Sequence, residues 1–136
     1  MATTDARRGP AGLDVVTITL VVVGLAQLLP GLLAFLAPGA FYDVLAGFPP
    51  RNDHFLRDVG SWQIALGAIA LFGARRPAWR QPLLALLALQ YLLHGISHLV
   101  DVGDSDPAWQ GPFALAVQVL GFVVLTALFL RERNAT

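Results

Sequence analysis

The sequence predicts an all-α membrane protein in which four transmembrane helices form an antiparallel bundle with the N and C termini cytoplasmic. Three observations carry this. Of 136 residues, 56% are hydrophobic and only 13% charged, against about 25% charged in a typical soluble domain. The apolar residues fall into four blocks, 13–36, 55–73, 83–100 and 113–130, each within the range of about 17–25 residues that a spanning helix takes. The arginines, finally, concentrate in alternate connections. A chain of this length makes a single domain, 1–136.

The first block has almost no polar face between Val15 and Leu29, which an amphipathic helix of a soluble bundle would require. Arg7 and Arg8 precede it as in a signal peptide, but the block is longer than an h-region of about 7–15 residues. Ala37-Pro38-Gly39-Ala40 is also a poor cleavage site, so a permanent helix is expected. In the connection from Pro38 to Asn52, residues Phe41, Leu45 and Phe48 share one helical face, as in a segment lying flat on a membrane. Pro49-Pro50 would end it. Asp53 is the expected N-cap of the second block. Arg75 to Pro82 reads as a tight turn with Trp79 at the interface, before the third block. Asp106-Pro107 reads as N-cap and N1 proline for the fourth, with Trp109 at the opposite interface.

Seven of the nine arginines, Arg7, Arg8, Arg75, Arg76, Arg80, Arg131 and Arg133, then lie on one side. The other side holds Arg51 and Arg57 with Asp43, Asp53, Asp101, Asp104 and Asp106. The positive-inside rule places the arginine-rich side in the cytoplasm. Every basic residue is arginine, and Ala, Gly, Pro and Val abound, which points to a GC-rich bacterium and to a multi-pass protein of its cytoplasmic membrane. Zero net charge argues against a nucleic-acid partner; the partners expected are the lipid bilayer and a second copy or another membrane protein. The absence of cysteine excludes disulfides, thiolate metal sites and thiol catalysis.

Polar side chains inside hydrocarbon are costly, about 2.5–3.5 kcal/mol for a charge at a helix centre on insertion scales, so their placement is informative. His54, Arg57, Asp58 and Ser61 open the second helix, with His54, Asp58 and Ser61 on one face. Gln90, His94, His98 and Asp101 form one stripe near the end of the third. With four spans both stripes lie in the outer half of the bilayer. The sequence therefore predicts one ligand-binding cluster of His54, Arg57, Asp58, Gln90, His94, His98 and Asp101, His94 lying about 10 Å deeper than Asp101. Two histidines at i and i+4 with an aspartate, His94, His98 and Asp101, could ligate a divalent metal ion. Haem fits the histidine count, but no feature singles it out. The same groups could relay protons, bind a polar molecule or simply hydrogen-bond across helices. No catalytic residue is assigned. The Asp101-x-Gly-Asp104-x-Asp106 stretch lacks the terminal Glu of a calcium loop and reads as a turn. Gln27, Gln63 and Gln118 are expected to bond between helices, and Gly24, Gly31, Gly60, Gly67 and Gly121 to admit close helix contact. Arg75, Arg76 and Arg80 are expected to set topology and to meet anionic lipid.

The stretch His54-Phe55-Leu56-Arg57-Asp58-Val59-Gly60, followed by a histidine-bearing third helix, resembles a pattern in small four-helix bacterial membrane proteins of the DoxX-like, domain-of-unknown-function kind. The resemblance implies a four-helix membrane bundle and redox-linked company, and transfers no catalytic residue. Three functional readings are open: a non-enzymatic protein binding a metal or small ligand, which is favoured; an accessory subunit whose polar cluster is structural; and an enzyme acting on a lipid-like substrate.

Overall fold

Helix starts follow local chemistry. The computed structural model describes residues 14–134, which form helices α1 (Val15–Leu36), α2 (Pro38–Leu45), α3 (Asp53–Ala74), α4 (Pro77–Val100) and α5 (Gln110–Asn134), with no strand among the described residues. Leu13, Arg7 and Arg8 lie outside them. The Asp14 carboxylate accepts from the Thr17 amide at 2.8 Å and caps α1. Pro38 and Pro77 open α2 and α4, where a missing N–H leaves no bond unmade. Two capping expectations are corrected. Asn52, not Asp53, caps α3 by accepting from the Phe55 amide; Asp53 sits in the first turn and pairs with Arg51. The last helix begins at Gln110, not Pro107. There the Ser105 hydroxyl accepts from the Gly111 amide at 2.9 Å and donates to the Pro107 carbonyl, so Ser105 rather than Asp106 serves the helix start. At its far end α5 runs past the apolar block to Asn134, with Arg131 and Arg133 against the negative pole of the helix dipole.

Glycines decide the closest packing. A Cβ on Gly67 would lie 2.7 Å from the Gly24 carbonyl oxygen and from the Leu28 amide, and one on Gly60 would lie 2.8 Å from the Gly31 oxygen and the Phe35 amide. Gly24 and Gly31, like Gly60 and Gly67, are two helical turns apart and share a face, so the backbones of α1 and α3 touch along a seam. The expectation for these four holds. Gly121 likewise receives the Tyr91 ring where α5 meets α4. All four long helices contribute to one core, Leu20 of α1, Ala70 of α3, Leu84 and Leu87 of α4 and Leu125 of α5 among them. A second cluster seats Phe41 of α2 against Ala34 and Leu56. The face predicted to lie flat is thus divided: Phe41 is buried, Leu45 is exposed, and Phe48 turns toward α4.

The four long helices have the length and apolarity to cross a membrane. Large apolar side chains remain uncovered by protein on each of the four, Val22 and Leu29 of α1, Trp62 of α3, Leu93 of α4 and Leu120 of α5 among them. In water this would be an aggregation-prone surface; in a bilayer it is the solvated one.

Candidate functional site

Polar side chains gather at two levels. Arg80 was expected to serve topology and lipid contact, but its side chain is only 13% exposed. It donates to Asp14 at 2.8 Å and to the Thr17 hydroxyl at 2.7 Å, and reaches the Ala74 carbonyl at 3.5 Å. Thr17 itself donates to the Ala74 carbonyl. One guanidinium therefore joins the start of α1, the end of α3 and the first turn of α4. The Thr17 amide, then Arg80 and the Thr17 side chain, hold the Asp14 carboxyl below the usual carboxylate range, against a partial desolvation. Beside this cluster Arg76 lies over the Phe72 ring at 3.5 Å, and Phe72 packs edge-on to Trp79.

The second level lies further along α1 and α4. The Gln27 amide, in a residue 6% exposed, donates to the Gln90 carbonyl at 3.1 Å. The Gln90 amide lies 3.4 Å from His94 Nδ1. The His94 and His98 rings stack with centroids 4.7 Å apart and 28° between planes, and Phe48 rests on His98 at 5.6 Å and 53°. The order Gln27–Gln90–His94–His98–Phe48 is thus a continuous polar and aromatic track. It stops at Gln27. Between Gln27 and the Arg80 cluster the facing side chains are Val23, Leu20, Val16, Leu87, Leu84 and Leu83, all buried.

The expected single cluster is not assembled. Gln90, His94 and His98 come together. His54 and Asp58, with side chains 87% and 61% exposed, pair with each other at 3.6 Å; Arg57 is exposed. Among the described residues no hydrogen bond or ion pair joins these three to His94, His98 or Asp101. Asp101 is an exposed C-cap of α4. No group of three or more His, Asp or Glu side chains among the described residues could hold a metal ion, so the triad His94, His98 and Asp101 is corrected to a histidine pair. The reason is packing: α3 lies along α1, and the named contacts of α3 with α4, Gly73 to Leu83 and Phe72 to Trp79, are near their connecting turn. Of the glutamines, Gln27 bonds between helices as expected. Gln63 and Gln118 do not: each has a buried carbonyl oxygen without a partner among the described residues.

Gln110 was not singled out from the sequence, and Phe48 only as part of a face lying flat on a membrane, yet the two frame the site. Gln110, 6% exposed, accepts from the Gly47 amide and donates to the Val44 carbonyl, while the Asp106 amide donates to the Gly47 carbonyl at 2.7 Å. Away from this site a shallow apolar groove of about 180 Å³ runs between α4 and α5 past Tyr91, Gly95, Leu115 and Gln118.

Four long apolar helices enclosing a polar track at one end have the character of a small helical membrane protein. Residues 15–130 match the model of a family described as a domain of unknown function, DUF4345, and the chain belongs to that family. The match takes in α1 to α4 whole and most of α5; it does not carry the DoxX-like part of the expected resemblance. Comparison with curated proteins and with solved structures finds no match in either.

Proposed function

We propose that the chain crosses the bacterial cytoplasmic membrane four times as an antiparallel bundle, arginine-rich ends inside, and binds a small neutral or cationic ligand at His94 and His98 from the outer side. Antiparallel spans are supported by the pairing of Thr17 with Ala74, Gly24 with Gly67 and Gly31 with Gly60, where one number rises as the other falls. The arginine distribution supports the orientation. Because the chain has no cysteine, single-cysteine labelling tests it directly. Ala108→Cys should react with a membrane-impermeant maleimide on intact cells, and Ala78→Cys only after permeabilisation; the reverse pattern would invert the orientation.

The observation that carries ligand binding is the set of open ring nitrogens. Only His94 Nδ1 faces a protein partner, at 3.4 Å; among the described residues nothing bonds His94 Nε2 or either nitrogen of His98. A polar group without a partner is costly in an apolar phase, so water or a ligand must meet these atoms. Charge narrows the ligand. Asp43, Asp53, Asp58, Asp101, Asp104 and Asp106 surround this end against Arg51 and Arg57, a field that repels anions and concentrates cations. The apolar stretch beyond Gln27 makes the site one-sided, which argues against passage through a single chain. The Gln27–Gln90 bond favours a second reading, an accessory subunit whose track fastens α1 to α4. Native mass spectrometry and elemental analysis of detergent-purified protein separate the two. A stoichiometric adduct, lost in a folded His94→Ala/His98→Ala variant, is expected. A wild type with no adduct or metal, beside a variant that is merely less stable, would make the track structural.

A further inference from the structure

We infer that Phe48 is the lid of the histidine pair and that Gln110 is the residue that positions it. The inference rests on the ligand reading above. Phe48 lies in the connection between α2 and α3, yet its ring packs at a tilt against that of His98 on α4, and His98 in turn stacks on His94. The ring is there because the backbone beside it is tied down. Gln110 uses both ends of its amide on this connection, accepting from the Gly47 amide at 3.0 Å and donating to the Val44 carbonyl at 3.3 Å. The Asp106 amide closes the opposite side on the Gly47 carbonyl.

Gly47 fits only as glycine, since a Cβ there would strike the Asp106 carbonyl oxygen. On the other flank Pro49 confines the Phe48 backbone to extended conformations. A fixed backbone thus carries a half-buried side chain whose ring partner is His98. The ring can swing about its own χ angles while the clasp stays made, which is the mechanical requirement of a lid. The face it covers is aromatic on both sides, so an open lid would offer a ligand π-surface as well as imidazole nitrogens, in keeping with a cationic or neutral ligand.

Carbethoxylation by diethylpyrocarbonate, followed site by site by mass spectrometry, tests this with a built-in reference. His54, 87% exposed at its side chain, reports reagent and detergent effects. In the wild type His94 and His98 should react several-fold more slowly than His54. Phe48→Ala should raise both rates several-fold without changing His54, Phe48→Leu should keep most of the protection, and Gln110→Ala should resemble Phe48→Ala. Elution volume and circular dichroism identify a variant that has not folded; if Gln110→Ala is one, Phe48→Ala alone decides the lid. Unchanged His94 and His98 rates in folded Phe48→Ala overturn the lid, whatever their level. If the native adduct is nonetheless present and histidine-dependent, only the lid has failed; if it is absent too, the ligand reading falls with it.

Discussion

Gly67→Leu should leave little folded protein. A side chain at this position meets the Gly24 carbonyl oxygen and the Leu28 amide at 2.7 Å, and the Leu28 Cβ at 2.8 Å. Two of the three are backbone atoms of α1 and cannot rotate away, so the helices must part. Parting them also loosens the second contact of the seam, where Gly31 and Gly60 face each other two turns away. Overpacking a well-packed interior typically costs about 1–3 kcal/mol; a backbone obstruction belongs at the upper end of that range or beyond. Thermal unfolding in detergent, followed by tryptophan fluorescence, measures it. Gly103→Ala is the matched control, since nothing lies within 4 Å of a Cβ there. A Gly67→Leu protein as stable as this control would mean that α1 and α3 do not touch through their glycines.

Arg80→Ala should produce the other large loss. The guanidinium is the common partner of Asp14, Thr17 and Ala74, and without it the Asp14 carboxylate is left to Thr17 alone. Exposed ion pairs contribute about 0–1 kcal/mol, and breaking buried ones costs about 3–5 kcal/mol. With Arg80 largely buried and Asp14 at 42% exposure, an intermediate loss of about 1–3 kcal/mol is expected. Arg80→Lys should rescue little, because an ammonium cannot present a planar fork to two acceptors. The same contact gives a pH signature. The Asp14 carboxyl is held below its ordinary range by the Thr17 amide and by Arg80. A depressed folded-state value contributes stability that is fully present above the unfolded value, about 3.9 for an aspartate. That stability is lost as pH falls through the lower, folded value. The wild type should therefore lose stability on acidification below about pH 4, Arg80→Ala should lose less, and Asp14→Asn should show none of this component. An identical acid response in all three would sink the assignment.

The helix-forming blocks were legible in the sequence, their cap residues less so. Block length and the absence of a polar face mark four helices, and Gly24, Gly31, Gly60 and Gly67 mark points of close helix contact. Both are properties of single segments. The candidate site depends on which segments become neighbours, and no single segment encodes that. Placing His54, Arg57 and Asp58 beside His94 and His98 assumed that consecutive spans pack along their whole length, whereas α3 spends its length on α1. Arg80 was counted as one charge among several in a turn, because nothing in the sequence distinguishes an arginine facing lipid from one folded back onto Asp14. The contact of Phe48 with His98 and the role of Gln110 were not legible for a different reason. The clasp joins residues 63 positions apart, and no periodicity or motif encodes such a meeting. Asn52 and Asp53 differ only by one place in a sequence where either could cap.

The seam and the clasp also divide the history of the chain during synthesis. Everything the α1–α3 seam needs has been made once Ala74 is in place, whereas Gln110, on which the α2–α3 connection hangs, comes 36 residues later. At translation rates of about 5–20 residues per second that is an interval of about 2–7 s. The first pair of helices can settle against each other while the second is still being polymerised. The connection bearing Phe48 must wait, so the finished mouth of the site is a late product of assembly, and its completion records that both halves have arrived.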